Sequence, residues 1–134
     1  MASNSNTFLD LGIFHMMNGE FQKRSILSYS NLFTILYNGY YLSNEMSQLS
    51  LELLSESTYK DGLVAGVPAG TRVAHKFGFY NPPTGESQLH DCGIVYHPRT
   101  PYVLCVMTSG PNIESEEAAI SAISHLVYTS VDGM

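Results

Sequence analysis

Thr71-Arg-Val-Ala-His-Lys-Phe-Gly-Phe-Tyr80, Leu89-His-Asp-Cys-Gly-Ile-Val-Tyr96 and Tyr102-Val-Leu-Cys-Val-Met-Thr108 decide the fold. The first alternates around Val73, His75 and Phe77, the period of a strand with one buried face. Asn81-Pro-Pro-Thr-Gly-Glu-Ser87 is a long turn, and Pro98-Arg-Thr-Pro101 a short one. The spacing predicts three antiparallel strands joined as a meander. Tyr102–Thr108 is almost continuously apolar, which suits a central strand covered on both faces.

Upstream the period is helical. Tyr29, Leu32, Phe33, Leu36, Tyr37 and Tyr40 form one stripe over residues 28–41, with Ser28 as N-cap. The tyrosines Tyr29, Tyr37, Tyr40 and Tyr41 read as core. Ser43 caps a second helix that carries Met46, Leu49, Leu53 and Leu54 to about Ser55. Gly62–Gly70 is a Gly/Pro loop that excludes a regular helix. After Ser109-Gly-Pro-Asn112, Glu114, Glu116 and Glu117 open a last helix at its positive end. Its buried side is predicted from Ala118, Ile120, Ala122, Ile123, Leu126 and Val127. The class is α+β: helices on a three-stranded antiparallel sheet. Residues 1–27 read as a loop-rich segment, and 28–134 hold the helices and strands. The segment's apolar residues, Phe8 to Phe21, are too many for a solvated linker.

The chain has 134 residues, 44% hydrophobic, enough for a core and too apolar for a disordered tail. Charged residues are 13%, against about 25% in ordinary domains. Six bases against twelve acids give a net charge of -6. Only Lys23 and Arg24 are adjacent, so no phosphate track can form and nucleic acid is excluded as a partner. The same balance disfavours an anionic membrane surface. No apolar run approaches the roughly 18 residues of a membrane span. The polar start, Met1-Ala-Ser-Asn-Ser-Asn6, is not a signal peptide. Cys92 and Cys105 lack CxxC spacing and read as two buried thiols, with a disulfide as the alternative.

Lys76 is the charge of interest. It is either an ordinary solvated strand lysine or an anion-binding group at a cleft edge, where Gly78 lets a ligand approach the backbone. His75, His90 and His97 show no metal-ligand spacing, so no metal or other cofactor is expected. His15 and His125 read as surface or satisfied core residues. Asp91 reads as a structural carboxylate. Ser57-Thr-Tyr-Lys60 matches Ser-x-x-Lys by letter only, since it precedes the Asp61-Gly62 turn rather than opening a helix.

One ordered set of segments carries a resemblance. It comprises Leu36-Tyr-Asn-Gly-Tyr-Tyr-Leu-Ser43, Glu45-Met-Ser47, Leu51-Glu-Leu-Leu54, Tyr59-Lys-Asp-Gly-Leu-Val-Ala-Gly-Val-Pro68, Val73-Ala-His-Lys-Phe-Gly78 and Leu89-His-Asp-Cys-Gly-Ile-Val-Tyr-His-Pro98. Over roughly residues 28–130 the chain resembles the C-terminal half of the class A β-lactamase-like serine hydrolases. That family uses Ser-x-x-Lys, Ser-Asp-Asn and Lys-Thr-Gly elements. Lys76-Phe77-Gly78 matches the third. The resemblance implies a partial β-lactamase/transpeptidase-like fold and acyl transfer through a serine ester. It implies that Lys76 is catalytic and attracts a substrate carboxylate. Gly78 and Phe79 would complete the substrate site, with the Phe79 N–H in the oxyanion hole.

The sequence departs from the family in two ways. Phe77 stands where the motif has threonine, so a hydroxyl is missing and a substrate other than a β-lactam is favoured. The nucleophile motif and the Ser-Asp-Asn loop have no counterpart. Glu20 is a possible match to the deacylating glutamate. The implied substrate is a small-molecule or peptide acyl compound. The implied partner is the missing N-terminal half, or a second copy. The alternative is a non-catalytic interaction module that self-associates or pairs with another chain. Family members are usually exported, and no export signal is read in this chain, so the compartment stays open.

Overall fold

The computed structural model describes residues 26–134. The expectations for most of the 1–27 segment, including His15 and Glu20, lie outside the described residues. Two helices come first, α1 (Ile26–Asn38) and α2 (Asn44–Ser55). A 3-10 turn follows at Leu63–Gly66, then β1 (Val73–Tyr80), β2 (Ser87–Val95), β3 (Tyr102–Gly110) and α3 (Ile113–Asp132). The fold is α+β, as the periods predict.

The strands run antiparallel in the order β1-β2-β3. The order corrects one expectation, because β2 is central and β3 ends the sheet among the described residues. The register pairs Lys76 with Cys92 and Gly78 with His90 across β1 and β2. It also pairs Cys92 with Cys105 across β2 and β3. Placed directly opposite, the two cysteines are joined in a disulfide with their Sγ atoms 2.11 Å apart. That corrects the reading as free thiols.

Strand alternation divides the core in two. One face carries Ala74, Cys92 and Ile94 against Phe33 of α1 and Leu51 of α2. The other carries Val73, Leu89, Val95 and Val106 against Leu63 of the turn and Ile120 and Tyr128 of α3.

Several helix faces differ from their apolar stripes. Ser28 is no cap, because α1 already includes Ile26. Tyr37, Tyr40 and Tyr41 are exposed, the last two because the helix has ended at Asn38. Met46, Leu49 and Leu53 of α2 are also exposed, while Ser47 and Leu51 are buried. Ser43 does cap α2, accepting from the Met46 N–H at 3.3 Å. In α3 the buried residues are Glu116, Ile120, Ser124 and Tyr128, a strict i, i+4 row. Ile123 and Leu126 are exposed, and Ala118 and Ala122 with them. Of this row hydropathy found Ile120 alone, because half of the row is polar. Glu116 accepts hydrogen bonds from the Ser87 hydroxyl and, at 3.3 Å, from the Thr108 hydroxyl. The Ser124 hydroxyl donates to the Leu63 carbonyl at 2.8 Å.

The buried carboxylate of Asp91 organises the α3 side of the sheet. It accepts from His75 Nδ1 at 2.8 Å and from the Leu63 N–H at 2.9 Å. Gly62 makes room for it: a Cβ there would lie 2.4 Å from Asp91 Oδ2. Asp91→Ala leaves two buried donors without an acceptor and should cost about 3 kcal/mol. Urea unfolding of the two proteins measures this, and a loss below about 1 kcal/mol would refute the role.

Candidate functional site

β1 has no strand on its outer side among the described residues. An edge strand keeps unpaired backbone donors and acceptors. Lys76 lies mid-strand on the face that packs α1 and α2, and its side chain is exposed. Its Nζ donates to the Phe77 carbonyl at 2.7 Å. No carboxylate pairs with it among the described residues.

Among the described residues, Lys76 is the one charged residue lining an apolar cleft of about 360 Å³, alongside Tyr29, Leu32, Phe33, Leu36 and Leu54. α1 and α2 supply the apolar wall and β1 the ammonium. A lone cation beside apolar walls favours an anionic group that also carries apolar surface.

Phe77 points to the opposite face by strand alternation. Its ring stacks on Tyr59 with centroids 3.9 Å apart. The Tyr59 hydroxyl donates to Glu117 at 3.2 Å. Burial, and then the Glu117 charge, push the Tyr59 pKa well above the ordinary phenol value. Phe77 thus joins a packed cluster and brings no hydroxyl to the lysine. Phe79 is 42% exposed on the same edge strand.

Gly78 has a use that the sequence did not disclose. A Cβ there would lie 2.3 Å from the Cε1 atom of the His90 ring. The imidazole therefore fills the space a side chain would take. Tyr29 meets the same ring edge-on, with centroids 5.5 Å apart. Burial, followed by the Lys76 charge, lowers the His90 pKa from its ordinary 6.5.

The other histidines do not join this site. His75 is held by Asp91 on the far face. His97 lies beyond β2, with its ring 4.4 Å from that of Tyr128. His125 is exposed on α3. Among the described residues no three metal-ligating side chains come together. No helix among them is long and apolar enough to cross a membrane. Ser57 and Lys60 lie in the irregular segment after α2, not at a helix start.

A family model described as the β-lactamase enzyme family matches residues 4–131. The chain belongs to that family. Among solved structures, a β-lactamase from Chitinophaga pinensis is 26% identical at a TM-score of 0.71, covering 78% of this chain and 41% of that one. PBP-A in an acyl-enzyme complex with penicillin G is 21% identical at 0.80, covering 97% and 51%. A class A β-lactamase from Bacteroides cellulosilyticus is 21% identical at 0.76, covering 100% and 49%. The last two identities establish a shared fold and nothing finer. The chain spans about half the length of these structures. No curated protein matches it. Its place in the β-lactamase family fits a partial fold of this type.

The His90 shift sets a pH dependence. Its pKa is lower folded than unfolded, so the folded state binds fewer protons between the two values. The stability this contributes is present above about pH 6.5 and is lost as pH falls through the depressed pKa. Thermal melts should show the parent protein losing stability relative to His90→Gln on acidification. Parallel profiles would contradict the shift.

Proposed function

We propose that this chain supplies the carboxylate-binding strand, and part of the oxyanion site, of a serine hydrolase working through an acyl-enzyme. In this reading residues 28–134 are the C-terminal part of the domain and 1–27 lead into it. The observation that carries it is the edge strand β1, whose exposed Lys76 lines an apolar cleft and meets no carboxylate among the described residues, in a chain of β-lactamase family type.

The chemistry divides between the two halves of the fold. Lys76 draws the substrate carboxylate and orients the acyl group. A serine hydroxyl from the half this chain does not span attacks the acyl carbon and loses its proton to a base. The Phe79 N–H stabilises the oxyanion that forms. Collapse expels the protonated leaving group and leaves a serine ester, which water hydrolyses. Without a threonine hydroxyl beside Lys76, the site favours a peptide, ester or amide over a β-lactam.

One observation favours a second reading, a non-catalytic interaction module. Leu27, Tyr40 and Leu53 are 69%, 77% and 62% exposed on the two-helix side. Covering such residues is a reason for self-association or for binding another chain. Size-exclusion chromatography tests self-association: a compact monomer of 14.8 kDa counts against it.

Incubation with a fluorescent penicillin tests the division of labour. This chain alone should acquire no label, because the serine lies elsewhere. A labelled peptide carrying one of its own residues would overturn the proposal.

A further inference from the structure

We propose that His90 is a second recognition group for the carboxylate held at Lys76, a specificity-determining residue that supplies the donor Phe77 lacks. The inference rests on the reading of Lys76 given above and deepens it.

Placement comes first. Gly78 sits two residues beyond Lys76 on the same face of β1, and its Cα partner is His90. His90 is therefore a diagonal neighbour of Lys76 on that face. Phe77, between Lys76 and Gly78 in sequence, faces the other way.

The ring is also held. It lies against the bare Cα of Gly78, where a Cβ would come within 2.6 Å of Nε2. The Tyr29 ring limits it from the helix side. The imidazole stays half-buried, with part of its surface open to a ligand. Its position is fixed before any ligand arrives, which lowers the cost of binding.

The surrounding charges complete the case. Among the described residues, Lys76 and Tyr80 from β1, the two diagonal neighbours on that face, with Tyr29 from α1 and Asp91 of β2, are the titratable groups around His90. Asp91 is turned to the opposite face by His75 and Leu63. From β3 the partner is Met107, which carries no charge. Lys76 therefore opposes protonation of His90 until an anion sits between them. A bound carboxylate screens the lysine and accepts a hydrogen bond from the imidazole. Protonation and anion binding strengthen each other by linkage.

The test uses the full 134-residue chain, with sodium phenylacetate as probe and NMR detection of the His90 ring. Phenylacetate should move the His90 signals, raise its pKa and bind more tightly from about pH 7.5 to about pH 5.5. His90→Ala should weaken binding about tenfold at the lower pH. His90→Gln should keep a donor and abolish the pH dependence. Lys76→Met should remove binding. Lys76-dependent binding with unchanged affinity and pH profile in both His90 variants would overturn the role of His90 and leave that of Lys76 intact. No binding, or equal binding by Lys76→Met, would instead overturn the carboxylate-site reading, and this inference with it.

Discussion

The Asp91 carboxylate is fully buried and ties the turn at Leu63–Gly66 to the paired strands β1 and β2. It lies on β2, takes the Nδ1 proton of His75 on β1, and takes the Leu63 N–H of the turn before that strand. The Leu63 carbonyl in turn accepts the Ser124 hydroxyl of α3. One backbone unit is thus held from both sides, by the sheet and by the last helix. A buried carboxylate is costly unless its lone pairs are used, and here two donors converge on it. His75 precedes Lys76, and alternation sends their side chains to opposite faces. The knot on one face therefore fixes the strand that carries the lysine on the other.

The two faces differ in character. On the α3 side, polar groups are paired at depth: Asp91 with His75, and Glu116 with Ser87 and Thr108. On the side of α1 and α2, the contacts are apolar, and a cleft remains open with Lys76 at its rim. A rigid scaffold behind a partly open face is what a binding site requires. Family membership and the half-length coverage fit this division, because a further half of the fold would have an apolar face to cover.

The sequence disclosed those parts in which period and punctuation agree. The strand alternation at Val73–Phe77 and the breaks at Asn81–Ser87 and Pro98–Pro101 placed the meander correctly. Ser43 placed the start of α2. The resemblance singled out Lys76, but its place on an edge strand came from the sheet order. Hydropathy failed where burial is polar, as at Ser47, Glu116 and Ser124, whose environment is set by distant residues. It also failed at Met46, Leu53 and Leu126, which are apolar yet exposed. The Cys92–Cys105 bond depends on register, which no local pattern states. The glycine of Lys76-Phe77-Gly78 was legible as a need for space. That the space belongs to the His90 ring depends on pairing between strands.

Amide hydrogen exchange at Leu63 tests the central claim most directly. The residue opens a short 3-10 turn, where an amide free to meet water exchanges quickly. If Asp91 ties the turn to the sheet, the Leu63 amide will exchange as slowly as the slowest amides of β2. Exchange as fast as in the turn at residues 81–86 would contradict the account, because β1 and its lysine would then lack the anchor assigned to them.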